Sequence, residues 1–472
     1  MRIRFGTDGW RGVISRDFTF DNLRRMADAV AAFLEESGLA ARGVAVGYDR
    51  RFLSAEYAAE AAGVLAARGI RVLLADRPVP TPLVSWAVRH LGLGGGLVIT
   101  ASHNPPEWSG VKFKEPQGCA ARERTSRRIE ALLERAPEGR AVPCLGPGEA
   151  RRRGLLERLD VWDPYREALW GFVDREHLRR HRPRVAVDAM HGCAWPWLGE
   201  LLDEAGCRVT ALRTEHNPGF GGIPPEPLEE HLGGLMEAVA REGALVGLAN
   251  DGDADRIGAV DERGRYFSTQ RIFAVLLHHL LEDRDMAGRV VRSVSGTAMA
   301  DLLCARRGLE LVVTPIGFKH IGEAVAEPGT LIGGEESGGI AIPAFLPERD
   351  GLLNALLLVA LAVQAGGLRR DLDRVFAVTG PFTYRRVDVP LDPADRPAVV
   401  ERIARLTAPS ALSGRPVVRA VRIDGLRLER DDGSWLLVRA SGTEPKLRFY
   451  AEGRSPGDVD SLLAEGRRMV GV

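Results

Sequence analysis

Lysine is nearly absent from this chain, so the few positions that keep it are informative. Of the 64 lysine and arginine residues, only Lys112, Lys114, Lys319 and Lys446 are lysines. Each lies in or close to a polar segment with the residue types of an active site. An ammonium group can give up a proton when its pKa is lowered, whereas a guanidinium cannot. We therefore expect Lys112 to be functional, with chance placement as the alternative.

Paired cysteines, a long hydrophobic run and a charge excess are also missing. The five cysteines form no CxxC pair and leave an odd number, so a disulfide scaffold or a structural zinc site is not expected. The longest apolar stretch, 352–363, contains Asn354 and is shorter than the roughly 20 residues that a membrane span needs. No apolar signal-peptide core follows Met1.

The formal net charge is zero, which argues against a dedicated nucleic-acid binder. We therefore expect a cytoplasmic enzyme without a membrane or nucleic-acid partner, as a monomer or a dimer.

The order of strand-like and helix-like patterns predicts several α/β units. At 472 residues the chain is too long for one ordinary core, and its length predicts about three domains. Residues 43–49 and 70–74 are strand-like and flank the alanine-rich segment 55–67. Such alternation predicts mostly parallel sheets with crossover helices. This alternation of strand-like and helix-like segments begins again at Arg184 and near Asp251. The C-terminal part of the chain indicates a smaller two-layer α+β domain.

The most distinctive segment is the polar turn 100–106, with the sequence Thr-Ala-Ser-His-Asn-Pro-Pro. It follows the apolar run 97–99, so a strand is predicted to deliver the Ser102 hydroxyl to a stiff turn. That placement suits a serine that carries a phosphoryl group, although a serine can also merely cap a turn. His103 could assist proton transfer or stabilise the turn.

A second polar loop holds Asp251, Asp253 and Asp255 at alternate positions, followed by Arg256. Carboxylates suit a hard divalent cation, and a guanidinium suits a phosphate. These aspartates and Glu262 are also spaced like the ligands of an EF-hand calcium loop. Arg256 stands where that loop needs glycine, however, and the flanking apolar runs look like strands. The sequence therefore favours a metal site beside a phosphate.

Two further loops offer ligands for a sugar and for a second phosphate. Residues 333–339 form a glycine-rich loop, in which Glu335 and Ser337 could hold vicinal hydroxyl groups. Residues 439–446 combine Arg439 with two hydroxyls and exposed backbone N–H groups, a combination that suits a phosphate-binding nest.

Together with the segment from Phe5 to Gly12, these four loops in this order resemble the alpha-D-phosphohexomutase superfamily, the phosphoglucomutases and phosphomannomutases. The resemblance implies an α/β fold of three similar mixed-sheet α/β domains plus a smaller C-terminal α+β domain around a central cleft. The implied domains are 1–145 with the phosphoserine loop, 150–250 ending at the metal loop, 251–368 with the sugar-binding loop, and 375–472 with the phosphate-binding loop.

The resemblance also implies roles for individual residues. Ser102 would be the phosphoserine, Arg11 and Lys112 would contact the transferring group and assist proton transfer, and His103 is a further catalytic candidate. The implied Mg²⁺ ligands are Asp251, Asp253, Asp255 and a phosphate oxygen on Ser102. The implied substrate-binding residues are Arg256, Lys319, Glu335, Ser337, Arg439, Ser441, Gly442 and Thr443.

Three positions depart from the family pattern. Trp108 and Ser109 stand where a tyrosine and an asparagine are common, and Gly339 stands where phosphomannomutase-type members often carry a histidine. The missing histidine argues against a histidine general base and shifts weight to Arg11 and Lys112. The Glu-Glu-Ser form of the sugar loop resembles phosphoglucomutases.

The expected function is thus interconversion of hexose 1-phosphate and hexose 6-phosphate, above all of glucose. The resemblance implies a phosphoserine enzyme, a 1,6-bisphosphate intermediate, Mg²⁺ as cofactor and glucose 1,6-bisphosphate as activator. The alternatives are a dual-specificity phosphoglucomutase/phosphomannomutase, a phosphoglucosamine mutase and, in another class, a metal-dependent sugar phosphatase. A sugar-phosphate sensor without turnover is disfavoured by the intact serine, metal and phosphate loops.

Overall fold

The computed structural model describes residues 3–4, 9–135, 139, 141–392, 394–441 and 446–471. Four β-sheets follow one another along the chain. The first three are mixed sheets with helical crossovers, and the fourth is antiparallel. The fold class predicted from the sequence is therefore confirmed.

The first sheet carries the serine loop. Its strands are β1 (Trp10–Val13), β2 (Val44–Tyr48), β3 (Val72–Leu74), β4 (Gly95–Ile99), β5 (Trp108–Lys114) and β6 (Leu156–Arg158), in the order β1-β5-β4-β2-β3-β6. Its helices are α1 (Phe20–Glu36), α2 (Ser54–Ala67), α3 (Thr81–His90), α4 (Glu123–Arg135) and α5 (Pro147–Arg152). The sheet thus extends past residue 145, where the sequence analysis ends the first domain.

Close helix packing explains the composition of β2. Every residue of this strand is buried, as is typical of a parallel strand covered by helices. A Cβ atom at Gly47 would lie 2.5 Å from Val84 of α3, so only glycine lets this helix approach the strand.

The second sheet carries the metal loop. Its elements are α6 (Trp162–Phe172), α7 (Arg175–His181), β7 (Arg184–Asp188), α8 (Trp197–Glu204), β8 (Arg208–Leu212), α9 (Gly233–Glu242), β9 (Val246–Asn250), β10 (Ile257–Val260) and β11 (Tyr266–Phe267), with strand order β11-β10-β9-β7-β8. The loop 251–256 joins antiparallel neighbours of this one sheet. The second sheet therefore runs past residue 250, where the sequence analysis ends the second domain.

The third sheet carries the sugar loop. Its elements are α10 (Thr269–His278), β12 (Arg289–Ser293), α11 (Ala298–Arg307), β13 (Leu311–Thr314), α12 (Phe318–Val325), β14 (Thr330–Gly334), β15 (Ile340–Ile342), β16 (Leu346–Arg349), α13 (Gly351–Ala365) and α14 (Leu368–Thr379), with strand order β13-β12-β14-β15-β16. Short 3-10 helices lie at Ala40–Arg42, Phe220–Gly222 and Glu229–His231, and a π-helical turn lies at His279–Asp283.

The fourth sheet is antiparallel throughout. Its elements are β17 (Thr383–Pro390), α15 (Arg396–Arg405), β18 (Ala411–Leu412), β19 (Arg415–Val421), β20 (Leu426–Arg430), β21 (Trp435–Ala440), β22 (Lys446–Gly453) and α16 (Pro456–Val470), with strand order β17-β22-β21-β20-β19-β18.

The C-terminal sheet contributes to two hydrophobic cores. Trp435 and Leu437 join the large core that runs through the first three domains. Leu436 and Val438 lie in the separate core of the fourth domain. Successive side chains of a strand point to opposite faces, so β21 alternates between the two cores. The fourth domain is thereby packed onto the rest of the molecule through one face of its sheet.

Within the described residues no single helix has the length and apolar character of a membrane span, although α13 and α14, bent by 82°, meet that criterion as a pair.

Candidate active site

Strand ends position the functional loops of the first three domains. Ser102 follows β4, Asp251 follows β9 and Glu335 follows β14, and each of these strands has one parallel neighbour. In such sheets ligand sites form at the carboxyl ends of the strands. Each loop therefore begins at the end of its sheet where binding sites form.

Ser102 is buried and lies beside the acidic loop. Its hydroxyl donates to Asp251 Oδ2 at 2.7 Å and lies 3.2 Å from His103 Nδ1. The backbone is left-handed there, with φ of +53°, and the Ser102 N–H donates to Thr100 Oγ1 at 2.8 Å. A Cβ atom at Gly252 would lie 2.5 Å from the Ser102 carbonyl oxygen, so glycine allows the two loops to touch.

Asp251, Asp253 and Asp255 form a cluster that could hold a metal ion. All three are fully buried, and their candidate ligand oxygens lie within 4.8 Å of one another. Within the described part of the chain, Asp253 Oδ1 and Asp255 Oδ1 have no hydrogen-bond partner. Buried carboxylate oxygens without a donor are costly unless a cation binds them, so the cluster fits a divalent metal.

An EF-hand arrangement is excluded by the geometry of this loop. It joins two antiparallel strands, and EF-hand loops join helices. Glu262 lies elsewhere, because its carboxylate accepts from the Arg369 N–H at 3.2 Å.

Lys112 lies against the acidic cluster. Its buried Nζ donates to Asp253 Oδ2 at 2.7 Å and to Asp255 Oδ2 at 2.6 Å. Burial opposes ionisation of Asp253, but the Lys112 ammonium and the Thr81 hydroxyl hold the pKa of Asp253 below its ordinary value. Burial and the two neighbouring carboxylates raise the pKa of Asp251 well above its ordinary value. A neighbouring positive charge therefore favours the ionised form of these carboxylates.

Arg11 and His103 lie around the serine loop. The Arg11 guanidinium donates to the side-chain carbonyl of Asn104, and β1, which carries Arg11, pairs with β5, which carries Lys112. Burial lowers the pKa of His103 well below its ordinary value, and the charges of Arg256, Arg11 and Lys112 act in the same direction. The imidazole is thus held neutral next to Ser102.

The charge of Arg256 acts on both the metal loop and the sugar loop. Its backbone N–H donates to Asp251 Oδ1 at 3.1 Å, and its Nη1 donates to Glu226 Oε1 at 3.1 Å. Burial raises the pKa of Glu335, while the charges of Arg256 and Arg349 act against that rise. The two predicted sugar-side groups, Arg256 and Glu335, therefore lie within one electrostatic environment.

The sugar loop is a tight turn that packs on the second domain. The Gly338 N–H donates to the Glu335 carbonyl at 3.1 Å, which closes the turn around Ser337. Gly338 has φ of +93°, and a Cβ atom there would lie 2.5 Å from the Ile257 carbonyl oxygen. Glycine therefore seats the sugar loop against β10, the strand that follows the metal loop.

Glu336, the middle residue of the Glu-Glu-Ser segment, contacts the C-terminal domain. Arg386 Nη1 on β17 donates to Glu336 Oε1 at 3.1 Å. The same guanidinium donates to both oxygens of Asp388, at 2.7 and 2.8 Å. Glu336 therefore forms an ion pair between the third and the C-terminal domains.

The predicted phosphate loop begins where β21 ends. Arg439 Nε donates to Asp424 Oδ1 at 3.1 Å, and the Ile316 N–H donates to Asp424 Oδ2 at 3.2 Å. Asp424 thereby joins Arg439 to the segment that leads to Lys319, which is half-buried in the first turn of α12. Ser441 is buried, whereas the predicted ligands Gly442 and Thr443 lie outside the described residues.

The sequence analysis missed three residues that hold this site together. The Thr81 hydroxyl donates to Asp253 Oδ2 at 2.5 Å, Arg349 Nη2 lies 2.8 Å from Asp255 Oδ2, and Arg51 holds the serine loop. The charged run Glu348–Asp350, between an apolar strand and an apolar helix, could have indicated that Arg349 is functional. Nothing near Thr81 in the sequence indicates its role.

Comparisons with known proteins identify the family of this chain. Models of the phosphoglucomutase/phosphomannomutase family match the chain in order, with alpha/beta/alpha domain I over residues 2–140, domain II over 163–264, domain III over 268–378 and the C-terminal domain over 392–468. A phosphoglucomutase/phosphomannomutase of Thermococcus kodakarensis is 33% identical over 470 residues, 99% of this chain and 98% of that protein.

Two further relatives extend the comparison. A phosphoglucosamine mutase of Cereibacter sphaeroides is 30% identical over 450 residues, 95% of this chain and 94% of that protein. A crystal structure from Thermus thermophilus, provisionally named a phosphomannomutase, is 36% identical and covers 100% of both chains with a TM-score of 0.86.

Fold, site and relatives together define an intramolecular phosphotransferase, an enzyme of the isomerase class. The chain belongs to the phosphoglucomutase/phosphomannomutase family, within the alpha-D-phosphohexomutase superfamily.

Proposed function

We propose that the protein interconverts hexose 1-phosphates and hexose 6-phosphates through a phosphoserine at Ser102 and a 1,6-bisphosphate intermediate, with glucose phosphates preferred. The observation that carries the proposal is the buried Ser102 hydroxyl, 2.7 Å from Asp251 in the acidic cluster. A phosphoryl group on this serine would lie next to the carboxylates that can hold a cation. The glucose preference is supported only by the resemblance of the Glu-Glu-Ser segment to phosphoglucomutases, in which Glu336 marks the resemblance while Glu335 and Ser337 would hold the sugar.

The proposed ion is Mg²⁺, held by Asp251, Asp253, Asp255 and a phosphate oxygen on Ser102. When bound, it would supply positive charge that stabilises the transferring phosphoryl group. Burial of the carboxylates keeps water away from this charge, which strengthens its effect.

The chain's own groups align the reactants and move the proton. In the first half-reaction the P–O bond to Ser102 breaks and a P–O bond to the free sugar hydroxyl forms. Lys112, after releasing its ammonium proton to solvent, takes the proton of that hydroxyl as the free amine, and the Arg11 guanidinium offsets the developing charge. Neutral His103 orients the serine oxygen through Nδ1, which lies 3.2 Å away.

The bisphosphate must then turn end for end, so that its other phosphate faces Ser102 and returns a phosphoryl group to it. Glu335 and Ser337 can hold the central hydroxyls in both orientations, because these stay roughly in place when the ring turns. Arg439 and Ser441, together with Gly442 and Thr443, would hold the phosphate that does not react. Glucose 1,6-bisphosphate acts as activator by restoring the phosphoserine.

A second candidate is dual specificity for glucose and mannose phosphates, which the name of the Thermococcus relative supports. The name of the Cereibacter relative supports glucosamine phosphate as a further substrate. A sugar phosphatase remains the alternative of another class.

A coupled mutase assay with Mg²⁺ and trace glucose 1,6-bisphosphate tests these proposals on the 1-phosphates of glucose, mannose and glucosamine. Faster turnover of glucose 1-phosphate supports the proposal, and comparable glucose and mannose rates support dual specificity. Release of inorganic phosphate without isomerisation would replace the mutase proposal by the phosphatase.

A further inference from the structure

The side chain of Arg51 is enclosed beneath the serine loop and donates to that loop along most of its length. Its Nη2 donates to the carbonyl oxygens of Ser102 at 2.7 Å and Asn104 at 2.6 Å. Its Nη1 donates to the carbonyl oxygens of Pro105 at 2.8 Å and Trp108 at 2.9 Å. One buried guanidinium therefore binds four backbone carbonyls between residues 102 and 108.

A count of donors shows what Arg51 can and cannot do. A guanidinium has five N–H groups in a rigid planar fork. Four meet the loop carbonyls, and Nε donates to Asp49 Oδ2 at 3.2 Å. No N–H group is left to bind a phosphoryl oxygen, so Arg51 acts on the reaction only through the loop that it holds.

Asp49 extends this support to the start of the loop. Its Oδ1 accepts from the Arg51 N–H at 3.0 Å, and its Oδ2 accepts from the Thr100 hydroxyl at 2.6 Å. The same threonine oxygen accepts the Ser102 N–H. Asp49 and Arg51 thus bind both sides of Ser102, the residue that adopts the left-handed conformation.

The second domain covers the other side of the guanidinium. The Arg51 guanidinium carbon lies 4.9 Å from the centre of the Phe220 ring, within the range of a cation–π contact. The neighbouring Arg50 Nη1 donates to the Thr214 carbonyl at 2.7 Å. The support of the serine loop is therefore shared with the domain that carries the metal loop.

We propose that Arg51 is a positioning residue for phosphoryl transfer, which sets the Ser102 hydroxyl against the acidic cluster by saturating the carbonyls of the serine loop. This inference rests on the proposed function. Lysine keeps the charge but has only three donors from one nitrogen, so it cannot replace the fork.

The test compares Arg51→Lys with Arg292→Lys. Arg292 is equally buried but binds Asp301 and the Ser293 carbonyl in the third domain, so it controls for the general cost of replacing a buried arginine. For Arg51→Lys, kcat should fall about 100-fold, as expected for a misplaced reacting group. KM should change little, and Arg292→Lys should keep the kcat of the wild type.

Amide hydrogen exchange of the peptide spanning residues 100–108 supplies a readout that does not depend on activity. The proposal predicts faster exchange there in Arg51→Lys and unchanged exchange there in Arg292→Lys. Wild-type kcat and exchange in Arg51→Lys would overturn it. If the wild type proves inactive as a mutase but the exchange difference is present, the proposed function fails while the clamp on the loop stands.

If Arg51→Lys does not fold, Phe220→Leu carries the test. This change removes the ring that packs against the guanidinium, so the guanidinium is held less firmly against the loop carbonyls. Faster exchange of residues 100–108 with a lower kcat supports the proposal, and an unchanged loop with unchanged kcat overturns it.

Discussion

Among single residues, Lys112 and Lys114 contrast a lysine at the candidate active site with a lysine in a structural ion pair. Both are buried on β5, and residues two apart on a strand point to the same face. Lys112 donates to two carboxylates of the acidic cluster, whereas Lys114 donates to Glu348 at 2.6 Å. Lys112 therefore has a place in the proposed proton transfer, and Lys114 has the place of a buried structural ion pair.

Replacing Lys112 by glutamine should lower kcat by about 100-fold or more, the effect of a lost acid–base group. Lys114→Gln should instead lower the free energy of unfolding by about 3 kcal/mol, because it removes the lysine partner of buried Glu348. Steady-state kinetics and urea unfolding of both variants measure the two effects. Equal losses of kcat in the two variants would contradict the assignment of Lys112.

Glu336 yields a prediction about specificity. Because its carboxylate pairs with Arg386 of the C-terminal domain, Glu336→Gln should lower kcat/KM for glucose 1-phosphate and mannose 1-phosphate by the same factor. Arg386→Gln should behave alike, and a double-mutant cycle should give a coupling energy of about 1 kcal/mol. A glucose-to-mannose ratio that changes in Glu336→Gln alone would show that this residue reads the sugar.

At the level of helices and strands, Asp350 joins the second and third domains. It caps the N-terminus of α13, where Oδ1 accepts the Leu352 and Leu353 N–H groups at 3.0 and 2.9 Å. Its Oδ2 accepts the Tyr165 hydroxyl of α6 at 2.6 Å. Burial raises the pKa of Asp350 to about 6, and these three donors act against the rise.

The pH dependence of this contact follows from the direction of the shift. An unfolded aspartate has a pKa of about 4, so the folded protein binds the proton more tightly and loses stability as the pH rises towards 6. Tyr165→Phe removes a donor to the carboxylate and should cost about 1–3 kcal/mol of unfolding free energy once Asp350 is ionised.

Urea unfolding on either side of this interval checks that prediction. The loss from Tyr165→Phe should be smaller near pH 5, where Asp350 is protonated, than near pH 8. A loss of the same size at both pH values would contradict the titration of Asp350.

The elements themselves were largely predictable from the sequence. The strand-like segments 43–49 and 70–74 contain β2 and β3, and the alanine-rich segment between them forms α2. The apolar runs that flank the metal loop form β9 and β10. The pairing of the strands was less predictable. β10 and β11 belong to the second sheet, because β10 pairs with β9 across the turn of the metal loop. The carboxylates of this turn indicate a metal site but do not indicate that the chain reverses direction there.

The candidate site could be recognised in the sequence as four separate loops, but the contacts between them could not be predicted. Contacts such as Lys112 with Asp253 or Thr81 with Asp253 join residues 141 and 172 positions apart. Spacing along the chain carries no signal for such pairs, because they form only when two domains pack together. Arg51 illustrates the same limit, since its acceptors are backbone carbonyls that any sequence would supply.

For the whole molecule, the acidic cluster predicts a link between metal binding and stability. Mg²⁺ binds carboxylates that are assembled only in the folded protein, so it should raise Tm. At a free Mg²⁺ concentration of about 100 times Kd, the free energy of unfolding should rise by about 2.7 kcal/mol. Chelation should abolish turnover, and Mg²⁺ should restore it. Calorimetry with and without Mg²⁺ on the wild type and on Asp251→Asn measures the link; an equal rise of Tm in the variant would place the ion elsewhere.

The central claim is that Ser102 carries the transferred phosphoryl group. Mass spectrometry after incubation with Mg²⁺ and glucose 1,6-bisphosphate tests it directly, with Ser102→Ala as the control. The predicted result is one phosphate per chain, located on Ser102, and neither a phosphate nor turnover in the variant. Phosphate on another residue, or turnover by Ser102→Ala close to that of the wild type, would contradict the claim.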